Sequence, residues 1–125
     1  MGHFAHLDEN DIVTNIIIAD IETIQSGRFG DAKFWVETDK HTTYGVHYGE
    51  NGIADGGKPL RGNYAVIGGK YDRTHDVFYP VKPFPSWIIN APDWQWKAPV
   101  PKPPRSDVYI NKWNESTRTW DKIKR

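Results

Sequence analysis

The sequence predicts a mainly-β fold, a single small domain of β-hairpins with extended proline-rich segments and at most one short helix. One eight-residue pattern occurs three times in the second half of the chain, at residues 71–78, 89–96 and 113–120. Two proline-rich segments, residues 79–85 and 98–104, separate the three copies, and proline excludes them from helices and sheet interiors. In the first half, β-prone runs alternate with turns rich in polar residues or glycine, as in an all-β protein.

Each copy of the pattern starts with an apolar residue, continues with Asp or Asn and ends with an aromatic residue. An Asx side chain can accept a hydrogen bond from the backbone two residues further on, which favours a tight turn. The first and eighth residues should then face each other across two short strands. The intervals between the copies differ, which excludes a repeat array of fixed period.

Large aromatic side chains should hold most of this fold together. The chain has 6 Trp, 6 Tyr and 5 Phe but only 38% hydrophobic residues, so its core should be small for its length. Each aromatic ring can bury about 150–250 Å². We expect six of them to fix the hairpins and the proline segments, namely Tyr71, Phe78, Trp87, Trp96, Trp113 and Trp120.

The first half of the chain predicts a hairpin, a short helix and two further strands. Residues 3–7 and 12–18 flank a four-residue polar turn, and the unbroken run Ile16-Ile17-Ile18 predicts a central strand that is buried on both faces. The Asp20 side chain should cap a short helix that runs through Ile21, Ile24 and Gln25, and Gly27 should end it. The further strands are predicted at residues 33–38 and 44–48, and residues 49–57 should form an exposed, mobile, glycine-rich loop.

Charge is distributed unevenly along a chain whose formal net charge is zero. Residues 1–62 contain 5 Lys or Arg against 10 Asp or Glu, whereas residues 63–125 contain 11 against 6. We therefore divide the single domain 1–125 into an acidic sheet region (1–70) and a basic, Trp- and Pro-rich hairpin region (71–125). The two signs either balance over one compact body or let the acidic side meet a basic neighbour. A neutral chain is a poor candidate for binding nucleic acid.

The sequence also disfavours several functional classes. The chain has no cysteine, hence no disulfide or thiolate chemistry. No apolar run approaches the ~20 residues of a membrane span, and the first residues lack a signal-peptide pattern. No catalytic motif is recognisable, so we expect neither an enzyme nor a cofactor. The five histidines, 3, 6, 41, 47 and 75, should have ordinary polar roles without a metal.

Six residues are candidates for contacting a partner, because they are polar or aromatic residues of predicted loops, proline segments or turns. They are Asn51, Asp55, Lys82, Trp94, Lys102 and Arg105. The proline segments could pack on the chain's own tryptophans or extend across a neighbouring subunit. The hairpin tryptophans could equally serve as core residues or as stacking platforms for sugars.

Several segments together resemble small virion-associated proteins of tailed bacteriophages, particularly those of aquatic hosts. The similarity spans nearly the whole chain and is carried by residues 3–13, 60–65, 71–72, 83–87 and 96–101, whereas the turn at residues 88–93 departs from the usual polar turn. The resemblance implies a structural protein of the phage particle, on the head or the tail, and brings no catalytic residues with it.

We therefore expect a virion protein that is assembled in the host cytoplasm and decorates or cements the shell of the major capsid protein. Its partners would be that protein, other virion proteins or copies of itself, with no nucleic acid and no membrane. The alternatives are a tail- or fibre-associated protein and a carbohydrate-binding module that uses exposed Trp.

Overall fold

The computed structural model describes residues 1–125 and confirms the mainly-β prediction. It contains five small antiparallel sheets, one three-stranded and four two-stranded. The strands are Gly2–Leu7 (β1), Val13–Ala19 (β2), Trp35–Thr38 (β3), Thr42–Thr43 (β4), Val46–His47 (β5), Lys70–Asp72 (β6), Val77–Tyr79 (β7), Ile88–Asn90 (β8), Gln95–Lys97 (β9), Tyr109–Asn114 (β10) and Thr119–Lys124 (β11). The helix α1 spans Ile21–Gln25 and a 3-10 turn spans Ala32–Phe34. Neither is long and apolar enough to cross a membrane.

The N-terminal hairpin forms as predicted, but its first strand occupies the centre of the sheet. The strand order is β2-β1-β3, so β1 pairs on both sides, with Phe4, Ala5 and Leu7 buried. The prediction that the Ile16–Ile18 run is the central strand is wrong. As the edge strand, β2 has one neighbouring strand. Its outer side bonds Gly68 and Gly69 at Val13, and Ile18 near its other end is 63% exposed.

The short helix lies at its predicted position, but the predicted side-chain cap does not form. Gly27, at φ 81°, follows the last turn, and its N–H donates to the carbonyl of Ile24 at 3.3 Å. Asp20 is the N-cap residue, yet its side chain makes no capping hydrogen bond. Its backbone carbonyl instead accepts from Thr23 at 3.1 Å and from Ile24 at 3.2 Å. Ile24 anchors the helix by packing with Phe4 in a small buried cluster.

Two predicted strands are shorter than expected because turns occupy part of their length. Asp31 accepts a hydrogen bond from the backbone N–H of Lys33 at 3.0 Å, and this bond starts the 3-10 turn. The strand predicted from residue 33 therefore begins at Trp35. The strand predicted over 44–48 is a hairpin instead, because Tyr44 (φ 50°) and Gly45 (φ 75°) form the turn between β4 and β5.

The three repeated hairpins are confirmed in register. Tyr71 lies opposite Phe78, Ile89 opposite Trp96, and Trp113 opposite Trp120. The three turns also share a feature that the sequence does not reveal. The sixth residue of each copy has a positive φ, 55° at Asp76, 52° at Trp94 and 54° at Arg118. The three turns thus share a left-handed backbone conformation at the sixth position, which three different side chains occupy.

The Asx side chain accepts a backbone hydrogen bond in the outer two hairpins, but only in the first does the donor lie two residues further on, as predicted. Asp72 accepts from the backbone N–H of Thr74 at 2.9 Å, and Asn114 accepts from that of Thr117 at 3.2 Å. In the middle hairpin, the Asn90 amide donates to Asp93 at 3.1 Å. The turn of the middle hairpin therefore differs in hydrogen bonding from the turns of the outer two.

The core is small, as predicted, with 17 of 125 residues buried. Its main cluster joins the three-stranded sheet to the first repeated hairpin and contains Ala5, Leu7, Val13, Val36, Ala65, Tyr71 and Phe78. Beyond Phe78, Trp113 is the one buried hydrophobic residue. The last two hairpins must therefore be held by partly buried aromatic contacts rather than by an aliphatic core.

The carboxylate of Asp72 organises the first repeated hairpin. It accepts hydrogen bonds from the Tyr79 hydroxyl and, at 2.7 Å, from Nδ1 of His75. Burial opposes the charge of Asp72, but the hydrogen bonds from Tyr79 and His75 outweigh it and hold the carboxyl pKa far below its ordinary value of 3.8.

We expect the Asp72→Asn variant to flatten the acid limb of the stability profile. A carboxyl with a depressed pKa contributes stability above its unfolded-state pKa, about 3.9, and that contribution is lost as pH falls through the folded-state value. Urea unfolding between about pH 2 and pH 6 measures this difference. The exposed Asp107 provides the control, Asp107→Asn. Parallel profiles for Asp72→Asn and the unsubstituted chain would contradict the assignment.

Candidate functional site

Two tryptophans attach the proline segments to the hairpins that follow them. Nε1 of Trp96 donates to the carbonyl of Pro80 at 2.7 Å, and Nε1 of Trp120 donates to the carbonyl of Val100 at 2.8 Å. Each indole is the eighth residue of its hairpin, and each acceptor lies in the preceding proline segment. The alternative that these segments pack on the chain's own tryptophans is thus realised in the monomer.

A lysine completes each of these attachments in the same way. Lys82 lies two residues after Pro80, with Nζ 5.3 Å from the ring centroid of Trp96. Lys102 lies two residues after Val100, with Nζ 5.7 Å from that of Trp120. Both distances suit cation–π contacts. The two segment–hairpin units therefore share one construction, and both lysines remain exposed.

Four aromatic rings form a continuous cluster between the last two hairpins, which we call the Trp cluster: Phe84, Trp87, Trp113 and Trp120. Trp87 contacts each of the others, at centroid distances of 5.5 Å to Phe84, 6.0 Å to Trp113 and 6.2 Å to Trp120. Its buried Nε1 has no hydrogen-bond partner, an unusual state for a buried donor.

A carboxylate at the margin of the Trp cluster fixes one indole. One oxygen of Glu115 accepts from Nε1 of Trp113 at 2.9 Å and from the hydroxyl of Ser86 at 2.7 Å. The hydrogen bonds from Trp113 and Ser86 lower the pKa of Glu115 from its ordinary value. Because these bonds link residue 86 to the third hairpin, they also fix the chain entering the second hairpin.

The Trp cluster separates two apolar clefts, which Trp87 and Trp120 both line. The first, the segment cleft, has a volume of about 450 Å³ and is also lined by Trp96, Val100, Pro101 and Lys102. The second, the sheet cleft, has a volume of about 470 Å³ and is also lined by Phe84, Ile110, Lys112 and Ile123. Lysines thus border apolar walls in both clefts, within the basic half of the chain.

The six aromatic residues predicted to hold the fold all make contacts within the chain. Tyr71 and Phe78 lie in the main core, Trp96 holds the first proline segment, and Trp87, Trp113 and Trp120 belong to the Trp cluster.

The six predicted partner contacts do not converge on one surface. Asn51 and Asp55 both lie beside Gly49 in the glycine-rich loop. Lys82 lies over Trp96, whereas Lys102 and Arg105 line a more polar cleft near the C-terminus. Their contact with a partner stays a prediction, as does the mobility of the glycine-rich loop.

Trp94 occupies an internal position that differs from a free platform. Its ring stacks on Tyr79 at a centroid distance of 6.0 Å and lies 5.3 Å from the ring of His75. A Cβ on Gly62 would come within 2.9 Å of the same indole, so the glycine makes room for it. Trp94 therefore links the first and second hairpins and is half-buried.

Asn63 is a structural centre that no sequence pattern singles out. Its amide donates to the carbonyl of Phe78 at 2.9 Å and to that of Trp94 at 3.0 Å, and its oxygen accepts from the N–H of Tyr44 at 2.8 Å. One buried side chain thus connects the β4–β5 turn to two hairpins. No local signal marks it, because its partners are 15 to 31 residues away.

The histidines include one clustered pair, His41 and His47. His41 and His47 approach the same carboxylate, that of Asp39, and Asp55 bonds the far side of the His47 ring at 2.7 Å. The hydrogen bond to Asp55 and the charges of Asp55 and Asp39 raise the pKa of His47 above its ordinary value. The hydrogen bonds from His47 and Gly57 lower the pKa of Asp55.

Comparisons of the chain with protein families, curated proteins and solved structures produced no match.

Proposed function

We propose that this chain is a structural protein of a phage virion that binds the assembled capsid shell as a decoration or cement protein. The resemblance of its segments to small virion-associated phage proteins supports the virion assignment. The observation that carries the binding role is the pair of apolar clefts on either side of the Trp cluster. A surface of this kind suits a protein partner, because buried aromatic anchors within a polar rim are typical of protein interfaces.

The partner chemistry follows from the lining of the two clefts. Trp, Pro, Val and Ile side chains form their walls, and Lys97, Lys102 and Lys112 lie among them. A partner segment with apolar side chains and flanking acidic residues would complement both features. The segment cleft also runs along the second proline segment, which would let it lie alongside an extended segment of the shell.

Binding to the capsid shell is favoured when the binding surface is already ordered in the free protein. Indole hydrogen bonds hold both proline segments in place before any partner arrives, so little conformational entropy would be lost on binding. A cement protein that binds the assembled shell but not free subunits stabilises the shell by mass action.

Heating particles that lack this protein, with and without purified protein added back, tests the proposal. We expect the added protein to raise the melting temperature of the shell in a concentration-dependent way. An unchanged melting temperature would refute the cement role. Imaging of labelled protein on the virion would then distinguish head from tail, and a tail location would favour the tail- or fibre-associated alternative.

A variant of the sheet cleft tests the surface itself. Ile110 and Ile123 face each other across β10 and β11 and are 47% and 45% exposed, so Ile123→Asp should not disturb folding. Because burying such a side chain contributes about 1.5–3 kcal/mol, we expect binding to particles to weaken by about tenfold or more. Ile18→Asp, on the distant edge strand, is the matched control. Equal binding by the two variants would place the interface elsewhere.

The carbohydrate alternative has its own measurement. The sugar-binding hypothesis predicts glycan-array signals that are lost in a Trp94→Ala variant whose circular dichroism shows that it is folded, because Trp94 also links the first two hairpins. Such a result, without any effect of the protein on shell melting, would replace the proposed function.

A further inference from the structure

Three potential metal ligands converge where β3 leads into the β4–β5 hairpin. Oδ2 of Asp39 lies 3.2 Å from Nε2 of His47, and Oδ1 of Asp39 lies 3.9 Å from Nδ1 of His41. One ligand atom from each of these residues lies within 4.8 Å of the other two. All three side chains are half-buried, which leaves one side of the group accessible to solvent.

The local fold holds Asp39 in a defined orientation. Its Oδ1 accepts from the backbone N–H of His41 at 2.9 Å, and its Oδ2 accepts from the hydroxyl of Thr42 at 3.2 Å. Thr42 is fully buried and pairs with His47 across β4 and β5. The same short hairpin therefore positions the carboxylate and both imidazoles.

The two ring nitrogens of His47 lie beside two different carboxylates, Nδ1 beside Asp55 and Nε2 beside Asp39. Asp55 Oδ1 lies 2.7 Å from Nδ1 and already accepts from the N–H of Gly57 at 2.8 Å. Since a carboxylate can only accept, Nδ1 must carry the proton, and Nε2 of a neutral imidazole has a free lone pair. Nε2 lies 3.2 Å from Oδ2 of Asp39. Either a proton on Nε2 or a metal ion bound by both atoms can stabilise this approach, and the nearby ligand atom of His41 favours the metal ion.

We propose that Asp39, His41 and His47 bind a divalent transition-metal ion of the Zn²⁺ type, with Asp55 orienting His47. Ligands at about 2.0–2.2 Å from a tetrahedral ion lie roughly 3.3–3.5 Å apart, close to the spacing observed between Asp39 and His47. Two imidazoles and one carboxylate favour Zn²⁺ or a similar ion over Mg²⁺ or Ca²⁺, which prefer oxygen ligands. The accessible fourth position would hold water or a partner's side chain.

Asp55 accepts a hydrogen bond from Nδ1 of His47, an arrangement that is common at metal-binding histidines. Such histidines usually donate their other ring N–H to a carboxylate, which fixes the tautomer and the ring orientation. Gly57 lies against the same ring and makes room for it, because a Cβ at this position would be only 2.8 Å from Nδ1 of His47. A simple proton bridge between Asp39 and His47 would not require the third residue, His41.

Bound metal would fix the glycine-rich loop to the sheet. Asp39 follows β3, His41 and His47 belong to the next hairpin, and Asp55 lies in the loop of residues 49–57. The proposal does not depend on the virion role, because it concerns a different part of the chain from the Trp cluster.

Titration of the tag-free, chelator-treated full chain with Zn²⁺ by calorimetry, and with Co²⁺ by visible absorption, tests the site. We expect one ion per chain, Co²⁺ bands typical of a site of low coordination number, and a melting temperature that rises with the Zn²⁺ concentration. His41→Gln and His47→Gln should abolish binding. Asp55→Asn should weaken it by about 10–100-fold while leaving the three ligands in place.

His75→Gln and His3→Gln are the matched controls, because each removes a histidine outside the group. Both should bind Zn²⁺ as the unsubstituted chain does, and circular dichroism verifies that every variant is folded. The proposal is overturned if the unsubstituted chain binds no stoichiometric ion, which would leave a proton between His47 and Asp39. It is equally overturned if folded His41→Gln binds with unchanged affinity.

Discussion

Replacing Phe78 with alanine is expected to lower the free energy of unfolding by about 3–5 kcal/mol, the usual cost of removing a fully buried phenylalanine. Phe78 is 1% exposed and stands in the main core cluster, opposite Tyr71 in the first repeated hairpin. With so small a core, few neighbouring side chains can move to fill the resulting cavity. Urea or guanidinium unfolding, followed by tryptophan fluorescence and circular dichroism, measures the change.

The control is Phe29→Ala, which removes the same side chain from an exposed position. Phe29 is 45% exposed and contacts Trp35 at a centroid distance of 6.3 Å. We expect it to cost about 1 kcal/mol or less. Similar losses for the two variants would show that the first repeated hairpin is not part of the cooperative core.

Features that depend on neighbouring residues could be predicted from the sequence. Each repeated hairpin needs only a turn and two facing residues within eight positions, so the pairing of Trp113 with Trp120 follows from the local pattern alone. The end of the helix at Gly27 is local in the same sense, because a single glycine provides the left-handed conformation there. Proline likewise kept residues 80–85 and 98–104 out of strands, although Tyr79, the first residue of the predicted segment 79–85, ends β7.

The order of strands in the sheet could not be predicted in this way. An apolar run such as Ile16–Ile18 indicates burial, but it does not say which strand will have neighbours on both sides. The arrival of β3 beside β1 decides this, and that pairing joins residues more than 25 positions apart, such as His6 with Trp35 and His3 with Thr38. Sheet order is therefore set by distant contacts that a local pattern does not contain.

In the candidate sites, too, some features could be predicted from local sequence whereas others depend on distant contacts. The aromatic residues of the Trp cluster were identifiable by type and position, because large rings in a chain of low hydrophobicity have few other uses. Asp39, His41 and His47 were not recognisable as a group, since a two-residue turn between β4 and β5 brings the two histidines together. Asp55 was expected to contact a partner, and its bond to His47 depends on how the glycine-rich loop folds back.

Substituting Asn63 by alanine should also be strongly destabilising, with an expected loss of about 2–4 kcal/mol in the free energy of unfolding. The variant removes three hydrogen bonds at once and leaves the N–H of Tyr44 and the carbonyls of Phe78 and Trp94 without this partner. Each buried polar group left unsatisfied costs about 1–3 kcal/mol. Asn51→Ala is the matched control, because Asn51 is exposed and accepts one local bond, from Ile53 at 3.0 Å.

Asn63→Asp separates the loss of hydrogen bonds from the loss of side-chain volume. The aspartate keeps the shape and the acceptor for Tyr44, but at neutral pH it directs a second negative oxygen at the carbonyls of Phe78 and Trp94. Burial and these carbonyls should raise its pKa above the ordinary value of about 3.9, so the destabilisation should be full at pH 7 and decrease as the carboxyl becomes protonated. Unfolding at about pH 4 and pH 7 measures this difference, which should be absent in Asn63→Ala. If Asn63→Asp were as stable as the unsubstituted chain at pH 7, the amide of Asn63 could not be what joins the two hairpins to the β4–β5 turn.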